Sequence, residues 1–288
     1  MKTRWLWLMA ALLALGGGDG ALAAERAKKI VLIGGPGGQP PGEKEYNAGV
    51  LLLQKSLGQI PGVLIYASLD AWPSDPKVFD GAATVLFYFD GGASHALLRG
   101  DRMKTFGKLM SRGVGFVCLR PALDVPKEAA GEEFKQWLGG YFEDGYSVAP
   151  VWNAEMKALP LHPVCNGVQS FAVRDEWGFN IRFRDRMSGV TPILYARPSD
   201  EARQAKPAYP HVVEQSGRAE IIAWVADRMD GGRSFGFTGG HFHKNWADEN
   251  FRKLVLNAIV WTARMDVPRD GWRVKITPDD LKANVGKK

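Results

Sequence analysis

The sequence predicts an α/β protein with a mostly parallel sheet flanked by helices and a β-rich extension in the middle of the chain. Three observations carry this. Over the first half, short apolar runs such as 29–34 (KIVLIG) and 83–89 (ATVLFYF) alternate with helical patterns. From about 147 to 227 strand-like runs follow one another with few helices between them, and then a strand and a long amphipathic helix return. Continuous β-branched runs mark strands buried on both faces, and strand–helix alternation implies βαβ units with right-handed crossovers.

Before the first strand lies a leader. Lys2 and Arg4 form a basic start, Trp5 to Leu15 is an unbroken apolar run, and Ala21-Leu22-Ala23 is a small-x-small cleavage pattern. An apolar run of that length is too short to cross a hydrocarbon core of about 30 Å as a helix, so residues 1–23 read as a signal peptide and the protein as exported, periplasmic or secreted. Removing them takes Lys2, Arg4 and Asp19 and changes the formal charge from +6 to +5. No later stretch is long and apolar enough for a membrane span. The remaining chain can bury a full core as one large domain over 24–265, followed by a C-terminal extension, 266–288, that Trp272 can dock.

The elements then run in order. A strand at 29–34 leads into a helix over 45–57, with Val50, Leu51, Leu53 and Leu57 available to one face. Further strands are read at 62–68, 83–89 and 114–119, with helices at 101–112 and 132–138. In the extension, strands are read at 168–173, 192–196, 211–214 and 221–225, and the polar, proline-flanked segment 197–209 reads as an exposed loop. A strand at 233–238 precedes a helix over 248–263, in which Phe251, Leu254, Val255, Ala258 and Ile259 recur at helical spacing and Asn245 or Asp248 can cap.

Composition excludes some functions. The positive charge is scattered, with no basic run interleaved with aromatics, so no nucleic-acid partner is expected. Export permits a disulfide between Cys118 and Cys165, but Cys118 sits inside a strand and reads better as a small buried hydrophobe. Self-association is left open.

Ligands of open parallel sheets bind beyond the carboxyl ends of the strands. Four loops rich in glycine or proline converge there: 34–45, 90–95, Arg120-Pro121 and Gly239-Gly240-His241-Phe242-His243. The first loop fits neither a dinucleotide fingerprint nor a phosphate loop, and its prolines remove the amides a phosphate needs, so no nucleotide is expected. His241 and His243 are the strongest catalytic candidates, because an extended i, i+2 pair shares one face and imidazole titrates near neutrality. His95 is a weaker one, and His162 and His211 read as structural or exposed. No G-x-S-x-G elbow occurs, and Cys118 is not at a turn, so neither a serine nor a cysteine nucleophile is indicated. A divalent metal held by His241, His243, His95 and a carboxylate is conceivable, without any tight ligand spacing to support it.

The run 231–243 (GGRSFGFTGGHFH), the following Asn245-Trp246, the helical LNAIVW at 256–261, Pro41-Gly42-Glu43, Asp90-Gly91-Gly92 with His95, and Asp175-Glu176-Trp177 go further than any short motif. With these segments the chain resembles the trehalose-utilisation (ThuA-like) proteins over roughly 29–285. The resemblance implies a class I glutamine amidotransferase-like fold, a flavodoxin-like parallel sheet, and a link to sugars, often oxidised (keto) sugars or glycosides. Fold alone does not fix the reaction, since the amidotransferase nucleophile is missing. In the family, histidine is usual where this chain has Gln39, Lys44 and Arg120; an arginine cannot serve as a base at neutral pH and favours a polar or anionic group.

Two readings follow. In one, an exported enzyme of sugar or keto-sugar metabolism transfers protons through His241 or His243, with Glu45 or Asp175 as partner carboxylate and Arg120 as oxyanion or substrate clamp. Glu43, Asp90, His95, Gly239 and Gly240 complete its substrate-binding set. In the other, the replaced histidines mark a carbohydrate-binding or regulatory protein that keeps the fold without catalysis. A metal-dependent hydrolase is the third and weakest reading.

Overall fold

The computed structural model describes residues 27–38 and 40–287. The leader read at 1–23 and Gln39 lie outside the described residues. In chain order the elements begin with β1 (Lys28–Gly34), α1 (Tyr46–Leu57), β2 (Val63–Ser68), β3 (Ala82–Tyr88), α2 (Arg102–Met110), β4 (Gly115–Leu119) and α3 (Glu132–Leu138). The middle adds β5 (Gly140–Tyr141), β6 (Val151–Met156), β7 (Phe171–Glu176), β8 (Arg182–Phe183), β9 (Val190–Ala196), α4 (Asp200–Gln204), α5 (Pro210–Val213) and β10 (Glu220–Asp227). The chain closes with β11 (Arg233–Phe237), α6 (Glu249–Thr262) and α7 (Pro278–Lys282).

Seven strands form the main sheet in the order β2-β1-β3-β4-β11-β10-β9. The first five are parallel, while β10 and β9 continue the sheet antiparallel. This is the flavodoxin-like arrangement, in which the chain moves outward from β1 to β2 and then returns past β1 to β3. The reversal opens a crevice beyond the ends of β1 and β3.

Strand periodicity divides the core between two faces. On β1, Ile30 and Leu32 pack with α1 and α6, while Val31 and Ile33 point to the side holding Phe106 of α2 and Phe134 of α3. On β4, Val117 and Leu119 face the first layer, Phe116 and Cys118 the second. Both faces are covered, which is why these strands read as continuous apolar runs. Cys118 and Cys165 are buried and unpaired with each other. Asp248 caps α6 by accepting from the Phe251 amide at 2.9 Å. Val267, Trp272, Val274, Ile276 and Leu281 lay the C-terminal extension against the first layer.

The middle of the chain departs from the sequence reading in three places. Segment 211–214 was expected as a strand but belongs to α5, where Pro210 supplies a first helical position and preset φ. The expected loop at 197–209 contains α4, capped by the Ser199 side chain. Strand β6, unread in the sequence, pairs with β7 as a separate two-stranded sheet rather than joining the main one. No helix of the described residues is long and apolar enough to cross a membrane.

Candidate functional site

A cavity of about 260 Å³ opens at the carboxyl edge of the parallel strands. Four of the five parallel strand ends contribute to it: Lys44 and Tyr46 after β1, Asp90 and Ser94 after β3, Arg120 and Asp124 after β4, Thr238 and His241 after β11. Glu176 enters from the end of β7.

The side chains form a chain of ion pairs. His241 Nδ1 lies 3.0 Å from Glu176 Oε2, and its Nε2 lies 3.0 Å from Glu43 Oε2. The Arg120 guanidinium donates to Glu176 at 2.5 Å and lies 3.6 Å from the Asp124 carboxylate, with its plane against the Phe142 ring. Arg120 Nε and Asp124 Oδ1 are buried with no partner. Across the cavity Tyr46 donates to Asp90 at 2.7 Å.

Burial and pairing set the charges. Burial disfavours ionised Glu176, yet the hydrogen bond from His241 and the charge of Arg120 overcome it and hold the carboxyl at about 2. His241 loses by burial and gains more from Glu176 and Glu43, so its imidazole is raised above the ordinary value. Burial pushes Asp124 up to about 7; Arg120 pulls against this and the Glu176 charge adds to it. Burial, followed by the Asp90 charge, drives the Tyr46 phenol above its ordinary range. The cavity lining therefore gathers the cations Lys44 and Arg120, an imidazole whose protonated form is favoured, the carboxylates of Glu176 and Asp90, and the Asp124 carboxyl raised by burial.

Several expected site residues are placed elsewhere. His243 does not share a face with His241, because a 3₁₀ turn begins at His243 and rotates it away. It is buried, and its Nε2 donates to the Leu281 carbonyl at 2.8 Å, with burial lowering its pKa. Glu45 also turns from the cavity, accepting from the amides of Gly42 and Gly286. The Asp175 carboxylate is consumed by the amides of Glu176, Gly240, His241 and Phe242, which makes it the anchor of the His241 loop rather than a free acid. His95 is fully buried among Phe87, Phe89 and Phe134 and pushed down to about 4 by that burial. Its ring bonds the Ala122 carbonyl and the Leu97 amide.

Gly239 and Gly240 shape the loop without lining the cavity. A Cβ on Gly239 would meet the Trp177 ring at 2.5 Å, and Gly240 has φ +111, which disfavours any side chain. Arg120 and Asp90 do line it, and Glu43 supports His241 from behind. Glu176 and Asp124 were missed. Glu176 stands beside Asp175, and only the alternation of β7 separates their roles. Asp124 follows Arg120 by four residues, at a spacing that carries no signal in a loop.

Among the described residues no group of three or more His, Cys, Asp or Glu side chains is arranged to hold a metal ion. His95 and His243, two of the ligands considered from sequence, are turned to backbone carbonyls instead.

The family model described as trehalose utilisation, ThuA, matches residues 41–262. The chain belongs to the ThuA family. The fold agrees with solved ThuA-like structures. That of a ThuA-like protein from Bacteroides uniformis is 16% identical, with a TM-score of 0.59, covering 87% of this chain and 97% of its own. One from Parabacteroides merdae is 14% identical, with a TM-score of 0.58, covering 89% and 99%. No curated protein matches the sequence.

Proposed function

We propose that this ThuA-family protein is an exported enzyme that transfers protons on a sugar, keto-sugar or glycoside bound over His241. The observation that carries the reading is the His241–Glu176–Arg120 array with Asp124 beside it. His241 and Arg120 place two positive charges where an oxygen that gains negative charge can rest. Asp124, with a carboxyl near 7, is the group whose protonation matches work at neutral pH. His241 is the acid in this scheme: its two carboxylate neighbours favour the imidazolium, and the ligand takes the place of Glu43 at Nε2 to receive the proton. Glu176 stays ionised and orients both cations. Tyr46 and Asp90 form a hydroxyl–carboxylate pair suited to sugar hydroxyls. The family description supports a sugar ligand, and the basic start, apolar run and Ala21-Leu22-Ala23 pattern support export.

One observation favours a second reading, carbohydrate binding without turnover. Both His241 nitrogens are already taken by carboxylates, so the array can be read as closed. The test is to measure melting temperature of the mature protein against trehalose, glucose and their keto derivatives, and then turnover of whichever binds. A ligand-dependent rise that His241→Ala removes supports the site. Turnover lost in His241→Ala and Asp124→Asn supports the enzyme; binding without turnover supports the second reading. No shift with any of these sugars removes both. N-terminal sequencing of the secreted or periplasmic fraction tests export, with Ala24 as the expected start.

A further inference from the structure

A second cavity of about 260 Å³ adjoins the first, and the two share Asp90 and Ser94. It extends the cleft toward the ends of β1 and β2, where Pro36, Asp70 and Ala71 line it, and its far wall carries Arg99 and Arg102. The two halves differ in how their cations are matched. In the first, two of the three lining cations, Arg120 and His241, are paired with carboxylates, while Lys44 acts on Asp124 through its charge alone. In the second, Arg102 donates to the Ala96 carbonyl at 3.0 Å and lies over the Trp72 ring at 5.4 Å. Among the described residues no ion pair joins Arg99 or Arg102 to a carboxylate, although Asp70 and Asp90 line the same space. Asp90 is engaged by the Tyr46 hydroxyl. The two guanidiniums are near enough that Arg99, after burial, disfavours the charge on Arg102.

Two adjacent cations without carboxylate partners, in a concave space continuous with a polar site, call for an anion to complete them. We propose that the second cavity is a subsite for an anionic substituent, a carboxylate or phosphate, on the far end of the ligand whose reacting part lies at His241. The proposal rests on the reading of the first cavity as a sugar site and narrows its substrate to acidic sugar derivatives. Arg102 is held by Trp72 and the Ala96 carbonyl as a fixed donor, and exposed Arg99 closes over the substituent from solvent. Arg99 is the more informative residue to change, because its side chain is exposed and makes no hydrogen bond or ion pair among the described residues.

The experiment is calorimetric titration of the full mature chain with α-methyl glucoside, glucuronate, glucose 6-phosphate and inorganic phosphate at low and high salt. Glucuronate or glucose 6-phosphate is expected to bind about tenfold or more tightly than α-methyl glucoside, with the preference weakening as salt rises. Arg99→Glu is expected to abolish that preference, while Arg112→Glu, an exposed charge change elsewhere, retains it. Comparing the two acidic sugars identifies the anion, and phosphate alone is expected to bind more weakly than the sugar phosphate. Equal affinity for neutral and acidic sugars, or a preference intact in Arg99→Glu, overturns the subsite. If neutral sugar binds and His241→Ala removes it while no acid preference exists, the sugar site stands and this inference falls. If acidic sugars lose affinity in Arg99→Glu but are indifferent to His241→Ala, the subsite stands and the reading of the first cavity falls. Absence of binding by every probe overturns both.

Discussion

Glu45 and Gly286 stand 241 positions apart in sequence, yet the Gly286 amide donates to Glu45 Oε1 at 2.9 Å. The same oxygen accepts from Gly42 at 2.8 Å, so one buried carboxylate ties the C-terminal segment to the loop that carries Glu43. Leu281 reinforces the link through His243, and Asp280 through an ion pair with Lys55. Glu45→Ala leaves two amides without this acceptor, and since Gly42 is half-buried and Gly286 exposed, the cost is below the roughly 1–3 kcal/mol of a fully buried orphan for each. The expected outcome is a measurable fall in melting temperature, largely restored in Glu45→Gln, which keeps an acceptor oxygen. Equal stability of wild type and Glu45→Ala would show that the tie is not used.

Glu176→Gln tests the pairing at the centre of the site. His241 is raised above its ordinary value against burial because Glu176 and Glu43 accept from it. Glutamine removes the larger of those contributions, so the His241 titration followed by imidazole NMR is expected to move down, toward or below 6.5. A raised folded pKa stabilises the protein below the unfolded value and ceases to do so as pH rises through the folded one. Glu176→Gln is therefore expected to lose more stability at pH 5 than at pH 9, and a uniform loss across that range would refute the ion pair.

How far the sequence reaches is visible in residues that are neighbours. The parallel strands were legible because burial on both faces leaves an unbroken apolar run, and α6 because its apolar stripe repeats at helical spacing. The edge where the loops converge was legible from strand ends alone. Which side chain of a loop faces the cavity was not. His241 and His243 differ by one turn of 3₁₀ helix, and Asp175 and Glu176 by one step of pleat, and such rotations are set by packing against Trp177 and the C-terminal segment. Segment 211–214 shows the same limit at the level of elements, since a short apolar run fits a strand or a helix until its neighbours decide.

Asp124 is expected to titrate near neutrality. Burial raises its carboxyl to about 7 although Arg120 lies 3.6 Å away. Carboxyl ¹³C NMR should show one aspartate with a midpoint close to 7, absent from Asp124→Asn. Where a substrate turns over, its rate should carry a limb near the same pH that Asp124→Asn removes. A midpoint near 4 would show that Arg120 dominates and would withdraw Asp124 as a proton-transfer group.

His95 makes the opposite kind of prediction, one of stability without chemistry. Its ring is enclosed by three phenylalanines and bonded to backbone at both nitrogens, so protonation on folding is opposed and its pKa falls from 6.5 to about 4. The unfolded chain takes up that proton once pH falls below 6.5, while the folded chain resists until about 4. The stabilisation from keeping His95 neutral is thus present above 6.5 and is lost as pH drops through that window, a change of roughly 3 kcal/mol by linkage. His95→Gln, which offers a similar donor and acceptor without a titrating ring, is expected to be less stable than wild type at pH 8. The difference should shrink as pH is lowered to 4, measured by denaturant unfolding at each pH. A gap that stays constant with pH would mean that the His95 proton is not coupled to folding.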